Sequence, residues 1–115
     1  MNAYAKGRAF EQALVRTLRA NGIWAIRSAG SKGPADIVAW SGGRRALIQA
    51  KVGGGASKSE LNRLSHAARD MGATAWLVVR NSGISATLIW PELPTGFTSG
   101  LEVLVLWLKG DSLPV

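Results

Sequence analysis

Three polar residues interrupt the apolar runs of RSAGSKGPADIVAWSGGRRALIQAK, the stretch from Arg27 to Lys51: Asp36, Gln49 and Lys51. Each stands where the core of a strand would hold valine. A carboxylate and an amide oxygen suit Mg²⁺, which prefers oxygen ligands and keeps several waters. A lysine beside them could then face a phosphate. An Asp–Lys ion pair is the plainer alternative. Glu11 is the candidate second carboxylate, although it lies among Lys6, Arg8, Arg16 and Arg19. Pairing with those arginines on a solvated helix face, worth roughly 0.2–0.5 kcal/mol, is the plainer explanation from the residues alone.

Whether the three meet depends on register. A two-residue hairpin at Gly42-Gly43 needs positive φ angles that glycine supplies cheaply. Ser41 then faces Arg44, and Asp36 faces Gln49. Opposed and alternate residues share a sheet face, so Lys51 joins them. A slip of one residue would scatter the group. Val38 and Leu47 share that face, while Ile37, Ala39, Ala46 and Ile48 take the other, so both faces should be covered. Unpartnered polar groups there would cost about 1–3 kcal/mol each.

The positioning elements follow from periodicity. Phe10, Ala13, Leu14, Thr17 and Leu18 mark a helix over about Ala5–Ala20, stopped by Asn21-Gly22. Strands are expected at Ile23–Arg27, Ala35–Trp40 and Arg45–Val52, with a loop over Ser28–Pro34. Ser57-x-x-Glu60 is a capping box that opens a helix to Met71, ended by Gly72. Thr74–Arg80 and Ser85–Trp90 read as strands, and Pro91–Gly96 as loop. A second capping box, Ser99-x-x-Glu102, favours a short helix over LEVLVLWL, with strand as the rival because of its valines and tryptophan. The order α-β-β-β-α-β-β-α predicts an α/β fold, a mixed sheet flanked by helices in one domain spanning residues 1–115.

Composition narrows the chemistry. The 115-residue chain carries a net charge of +7 and a pI near 10.9, a field that attracts polyanions: nucleic acid first, an anionic membrane surface second. It contains no cysteine, which excludes disulfides, thiolate metal sites and thiol catalysis. A single histidine, His66, forms no metal cluster. Leu101–Leu108 is too short to span a bilayer, and the charged N-terminus lacks a signal-peptide core, so an intracellular, cytoplasmic protein is expected. GGGAS matches no P-loop pattern, and no nucleotide cofactor is expected.

Glu11, Asp36, Gln49 and Lys51 have the order and spacing of the PD-(D/E)xK nuclease superfamily. More closely, the chain resembles the archaeal-type Holliday junction resolvases, the Hjc family. KGRAFEQALVRTL, IRSAGSKGPADIVA and LIQAK carry the likeness, supported by LNRLSHAARDMGATAWLVV and SGLEVLVL. The resemblance implies a restriction-endonuclease-like fold. It also implies a homodimer that binds four-way junction DNA and nicks two opposed strands, using Mg²⁺, or Mn²⁺ in its place. By motif position, Glu11, Asp36 and Gln49 would serve the metal, with the Ala50 carbonyl as a further ligand. Lys51 would be the catalytic lysine, and Arg27 and Ser31 would contact phosphate or assist catalysis. Lys6, Arg8, Lys32 and Lys58 lie around this group and are candidate DNA contacts along with Arg27. Ser31 could equally be an ordinary loop residue.

Three departures from the family pattern matter. Gln49 replaces the usual glutamate, which removes a charge and predicts weaker metal affinity. Gln12 stands where relatives often carry a basic residue, and the GPAD loop looks about one residue longer. Two other readings stay open: a catalytically silent DNA-binding module, and a nuclease of the same fold acting on duplex or mismatched DNA. For the dimer, Leu104 and Trp107 and the helix bearing Leu61 and Leu64 are candidate interface, with core burial as the alternative.

Overall fold

The structure, a computed structural model, describes residues 2–28, 33–93 and 98–112. Helix α1 spans Ala3–Ala20, two residues earlier than periodicity predicts, because the Asn2 side chain caps it by accepting the Ala5 N–H at 2.8 Å. Its inward face holds Phe10, Leu14, Val15 and Leu18, whereas Thr17 is exposed. Strands β1 (Trp24–Arg27), β2 (Ile37–Ser41) and β3 (Arg44–Val52) follow, then α2 (Lys58–Met71), β4 (Thr74–Arg80), β5 (Ile84–Trp90), β6 (Thr98–Ser99) and α3 (Leu101–Leu108).

The strands form one mixed sheet in the order β1-β2-β3-β4-β5-β6. Only β3 and β4 pair in parallel, because α2 carries the chain back between them. The β2–β3 register is the expected one: Ser41 faces Arg44 and Ile37 faces Ile48. At the turn, Gly42 takes φ +58° and Gly43 does not, so one positive angle suffices, the type II′ pattern.

Helices α1 and α3 cover one face of the sheet, burying Ile37, Ala39, Ala46, Ile48, Trp76 and Val78. Each leucine or isoleucine so buried contributes about 1.5–3 kcal/mol. Helix α2 covers the other face over β3, β4 and β5, with Leu47, Leu64, Ala68 and Ala75 at its core. Its capping box is complete, and Gly72 ends it in the left-handed region at φ +66°. On the α2 side of β1 and β2, Trp24 stacks on Trp40 and stays 65% exposed. No described helix is long and apolar enough to cross a membrane.

Three expectations need correction. The second capping box does not form: Gly100 is the N-cap of α3 and makes no side-chain cap bond, while Ser99 belongs to β6. The Glu102 carboxylate occupies the space a Cβ on residue 100 would fill, so glycine suits that position. Second, β6 was not expected; its two residues pair with Ala86 and Thr87, a span too short for a periodic signal. Third, two of the candidate interface residues are core. Leu64 and Leu104 are wholly buried, Leu61 is partly buried, and Trp107 packs on Trp76 beneath α3.

Candidate active site

The pocket forms where β2 begins and β3 continues past it. Asp36 immediately precedes β2 and is not in the ladder opposite Gln49 as expected: its backbone N–H donates to the Ile48 carbonyl at 2.9 Å, one residue out of the Ile37–Ile48 register, and it meets Gln49 through its side chain. Its carboxylate Oδ2 accepts two bonds: the Ala50 N–H at 2.9 Å and the Gln49 Nε2 at 3.1 Å. Oδ1 takes neither. In an extended strand a residue's N–H and C=O point to the same side. The Ala50 carbonyl therefore points toward β2 as well, beyond the end of that strand, and Ala50 lines the pocket.

Glu11 reaches this group from the opposite face of the sheet. It sits on α1, one turn from the buried Leu14, and the helix packs along β1 and β3. Arg27, the last residue of β1, donates from Nε to Glu11 Oε1 at 3.2 Å. The Glu11 carboxyl is nonetheless held above its ordinary range, first because burial strips its solvent and then because the Asp36 charge is near; Arg27 opposes both effects only in part. Two carboxylates in mutual repulsion at a concave polar site are what a cation would relieve.

Glu11, Arg27, Asp36, Gln49, Ala50 and Lys51 all line one open pocket of about 280 Å³, together with Tyr4 and Arg8 of α1. Arg8 stands over the Tyr4 ring at 5.4 Å. Lys6 is exposed on the same helix but does not line the pocket, and Lys58 lines a different groove, between α2 and β5. Ser31 and Lys32 lie outside the described residues. Arg44, at the far end of the hairpin, is engaged by α3. The GGGAS segment is tied at its start, where the Gly53 N–H donates to the Arg80 carbonyl.

Sequence reasoning missed one participant. The Lys51 Nζ lies 2.7 Å from Glu60 Oε2, on the first turn of α2. Glu60 was visible only as the capping-box residue; no spacing rule links it to Lys51.

Among the described residues no three His, Cys, Asp or Glu side chains gather as a metal cluster. The oxygen donors available are two carboxylates, the Gln49 amide and the Ala50 carbonyl. That set is hard and sparse, which fits Mg²⁺ with several waters retained and would not make a closed Ca²⁺ cage.

The family model for the archaeal Holliday junction resolvase (Hjc) matches residues 2–96. Among solved structures, the chain is similar to Hjc of Archaeoglobus fulgidus, a Holliday junction resolvase from an archaeal hyperthermophile. The TM-score is 0.65 at 28% identity, covering 87% of this chain and 93% of that one. No curated protein matches the sequence. With that fold and nearly the whole length accounted for, the chain belongs to the archaeal Holliday junction resolvase (Hjc) family, and its mixed sheet between helices is of the restriction-endonuclease type.

Proposed function

We propose that this protein is a Holliday junction resolvase: a single nuclease domain that, as a homodimer, nicks opposed strands of four-way junction DNA with Mg²⁺. The observation that carries the reading is the shared pocket of Glu11, Asp36, Gln49, Ala50 and Lys51. Mg²⁺ bound there would supply Lewis-acid stabilisation of charge growing on a scissile phosphate during in-line attack by water. Glu11, Asp36, the Gln49 amide oxygen and the Ala50 carbonyl would hold it.

The chain's own groups supply the rest. The Ala50 N–H and Gln49 Nε2 orient the Asp36 carboxylate, so that it need not reorganise when charge arrives. Lys51 would place a positive charge beside the transferring phosphoryl group or orient the attacking water. Arg8 and Arg27 border the pocket and suit backbone phosphates, with Lys6 and Lys58 contributing further out; Lys32, outside the described residues, is a further candidate by its sequence position. Binding would then read junction shape, fall steeply with salt, and leave 5′-phosphate and 3′-hydroxyl ends. Two nicks placed symmetrically need two sites, which a twofold dimer provides.

The test is a labelled four-way junction incubated with and without Mg²⁺, beside linear duplex at equal salt. Paired nicks in the junction alone support the reading. Binding without nicks would make the chain a silent junction-binding module, and equal cutting of duplex would make it a general nuclease.

A further inference from the structure

We propose that Glu60 is a positioning residue for Lys51, holding the lysine ammonium at the pocket from the first turn of α2. The inference rests on the nuclease reading of Lys51 and names a residue which that reading does not include.

One carboxylate spans two jobs. Glu60 Oε1 accepts the Ser57 N–H at 3.0 Å, while the Ser57 hydroxyl accepts the Glu60 N–H at 3.1 Å; this closes the helix start. Glu60 Oε2 is left over, and it takes the Lys51 ammonium at 2.7 Å. The cap thus fixes the carboxylate, and the carboxylate fixes the lysine. The lysine would otherwise sweep a wide volume on its long flexible stem. Glu60 does not line the pocket that Lys51 lines, so it reaches the site only through the lysine.

The chain between the two residues argues the same way. Val52 ends β3, and Gly53, Gly54 and Gly55 follow before the Ser57 cap. Three glycines in succession transmit little order along the backbone. The side-chain bridge joins the end of β3 to the start of α2 across that gap. Small displacements of a charged group at a reacting centre cost rate steeply, so the bridge acts on catalysis more than on binding.

Glu60→Gln isolates this role, because glutamine at the same helix position keeps the capping box while losing the charge offered to Lys51. In the full-length chain, helix content should stay at the parental value and the thermal midpoint should fall only slightly, because the ion pair that is lost is partly exposed. Two readouts should move. The single-turnover rate of junction cleavage at saturating Mg²⁺ should fall about tenfold, with the junction Kd unchanged. In protein free of DNA and metal, the NMR order parameter of the Lys51 ammonium should drop while the α2 backbone amides keep theirs. Parent and variant cleaving at one rate, or a slowed rate matched by an equal loss of junction affinity, overturns the proposal. So does an unchanged Lys51 order parameter. A parent that binds junctions in Mg²⁺ without nicking them sinks the nuclease reading, and this inference with it.

Discussion

The two ends of the β2–β3 hairpin use the same kinds of residue for opposite purposes. At the turn, Arg44 donates from Nη1 to the carbonyls of Trp107 and Asp111 at 2.7 and 2.6 Å, and its guanidinium stacks 5.0 Å over the Trp107 ring. Those acceptors are backbone groups at the C-terminus of α3, where a cation is favoured by the helix dipole as well. The Trp107 carbonyl also accepts the Gly110 N–H at 3.0 Å, and the arrangement is structural. At the open end, Arg27 and Lys51 are each held by one carboxylate, Glu11 and Glu60, at the rim of a pocket. Pairs of that kind are partly exposed and individually weak. Such cations can be lent to a phosphate, and Glu11 can be lent to a metal. What separates scaffold from site is therefore the kind of acceptor each cation has, since the charges themselves are alike.

The largest expected effect breaks the open end. Asp36→Asn should cut junction cleavage by about 10³-fold or more while junction binding persists, measured by nicking and gel shift on one preparation. Retained nicking would remove Asp36 from the site. The mirror experiment is at the turn: Arg44→Ala should lower stability in urea by about 2–3 kcal/mol, since it removes two charge-assisted bonds and a cation–π contact. Cleavage per folded molecule should not change. A slowed Arg44→Ala enzyme of normal stability would erase the distinction between the two ends.

A smaller effect sharpens the chemistry of the pocket. Gln49→Glu restores a charge among the oxygen donors and should lower the Mg²⁺ concentration for half-maximal cleavage by about tenfold. An unchanged requirement would mean that this side chain serves only to hold Asp36. The smallest effect concerns stability without metal. The Glu11 carboxyl has its folded-state pKa raised above 4.5, first by burial and then by Asp36. Its contribution to stability is therefore full below its unfolded value and is lost as pH rises through the raised one. Glu11→Gln removes that loss, so in chelator at neutral pH the variant should melt above the parent. The advantage should vanish as pH falls below about 4.5, the ordinary glutamate value. A variant less stable than its parent at neutral pH would show that the Arg27 contact outweighs burial and repulsion.

Much of this was written locally. The hairpin register followed from Gly42-Gly43, with Ser41 facing Arg44 and Ile37 facing Ile48; Asp36, just outside the ladder, meets Gln49 through its carboxylate. Helix α2 was delimited by Ser57, Glu60 and Gly72, because caps are made of neighbours in sequence. The end of the chain was harder. Ser99 and Glu102 have capping-box spacing, yet pairing with β5 draws Ser99 into a strand and leaves the cap to Gly100. Leu64, Leu104 and Trp107 could have faced a partner or the interior; only the packing of α2 and α3 on the sheet makes the two leucines core and seats Trp107 on Trp76.

The amino-acid order alone determined most of the elements and the β2–β3 register that brings Asp36, Gln49 and Lys51 to one end of the hairpin, since these depend on periodicity and one turn. The tertiary structure decided the rest. It brought Glu11 across from the other side of the sheet, tied Lys51 to Glu60, and consigned Arg44 to the end of α3. Those contacts join residues on different elements, and their distances depend on how helices settle on a twisted sheet. No spacing along the chain encodes that.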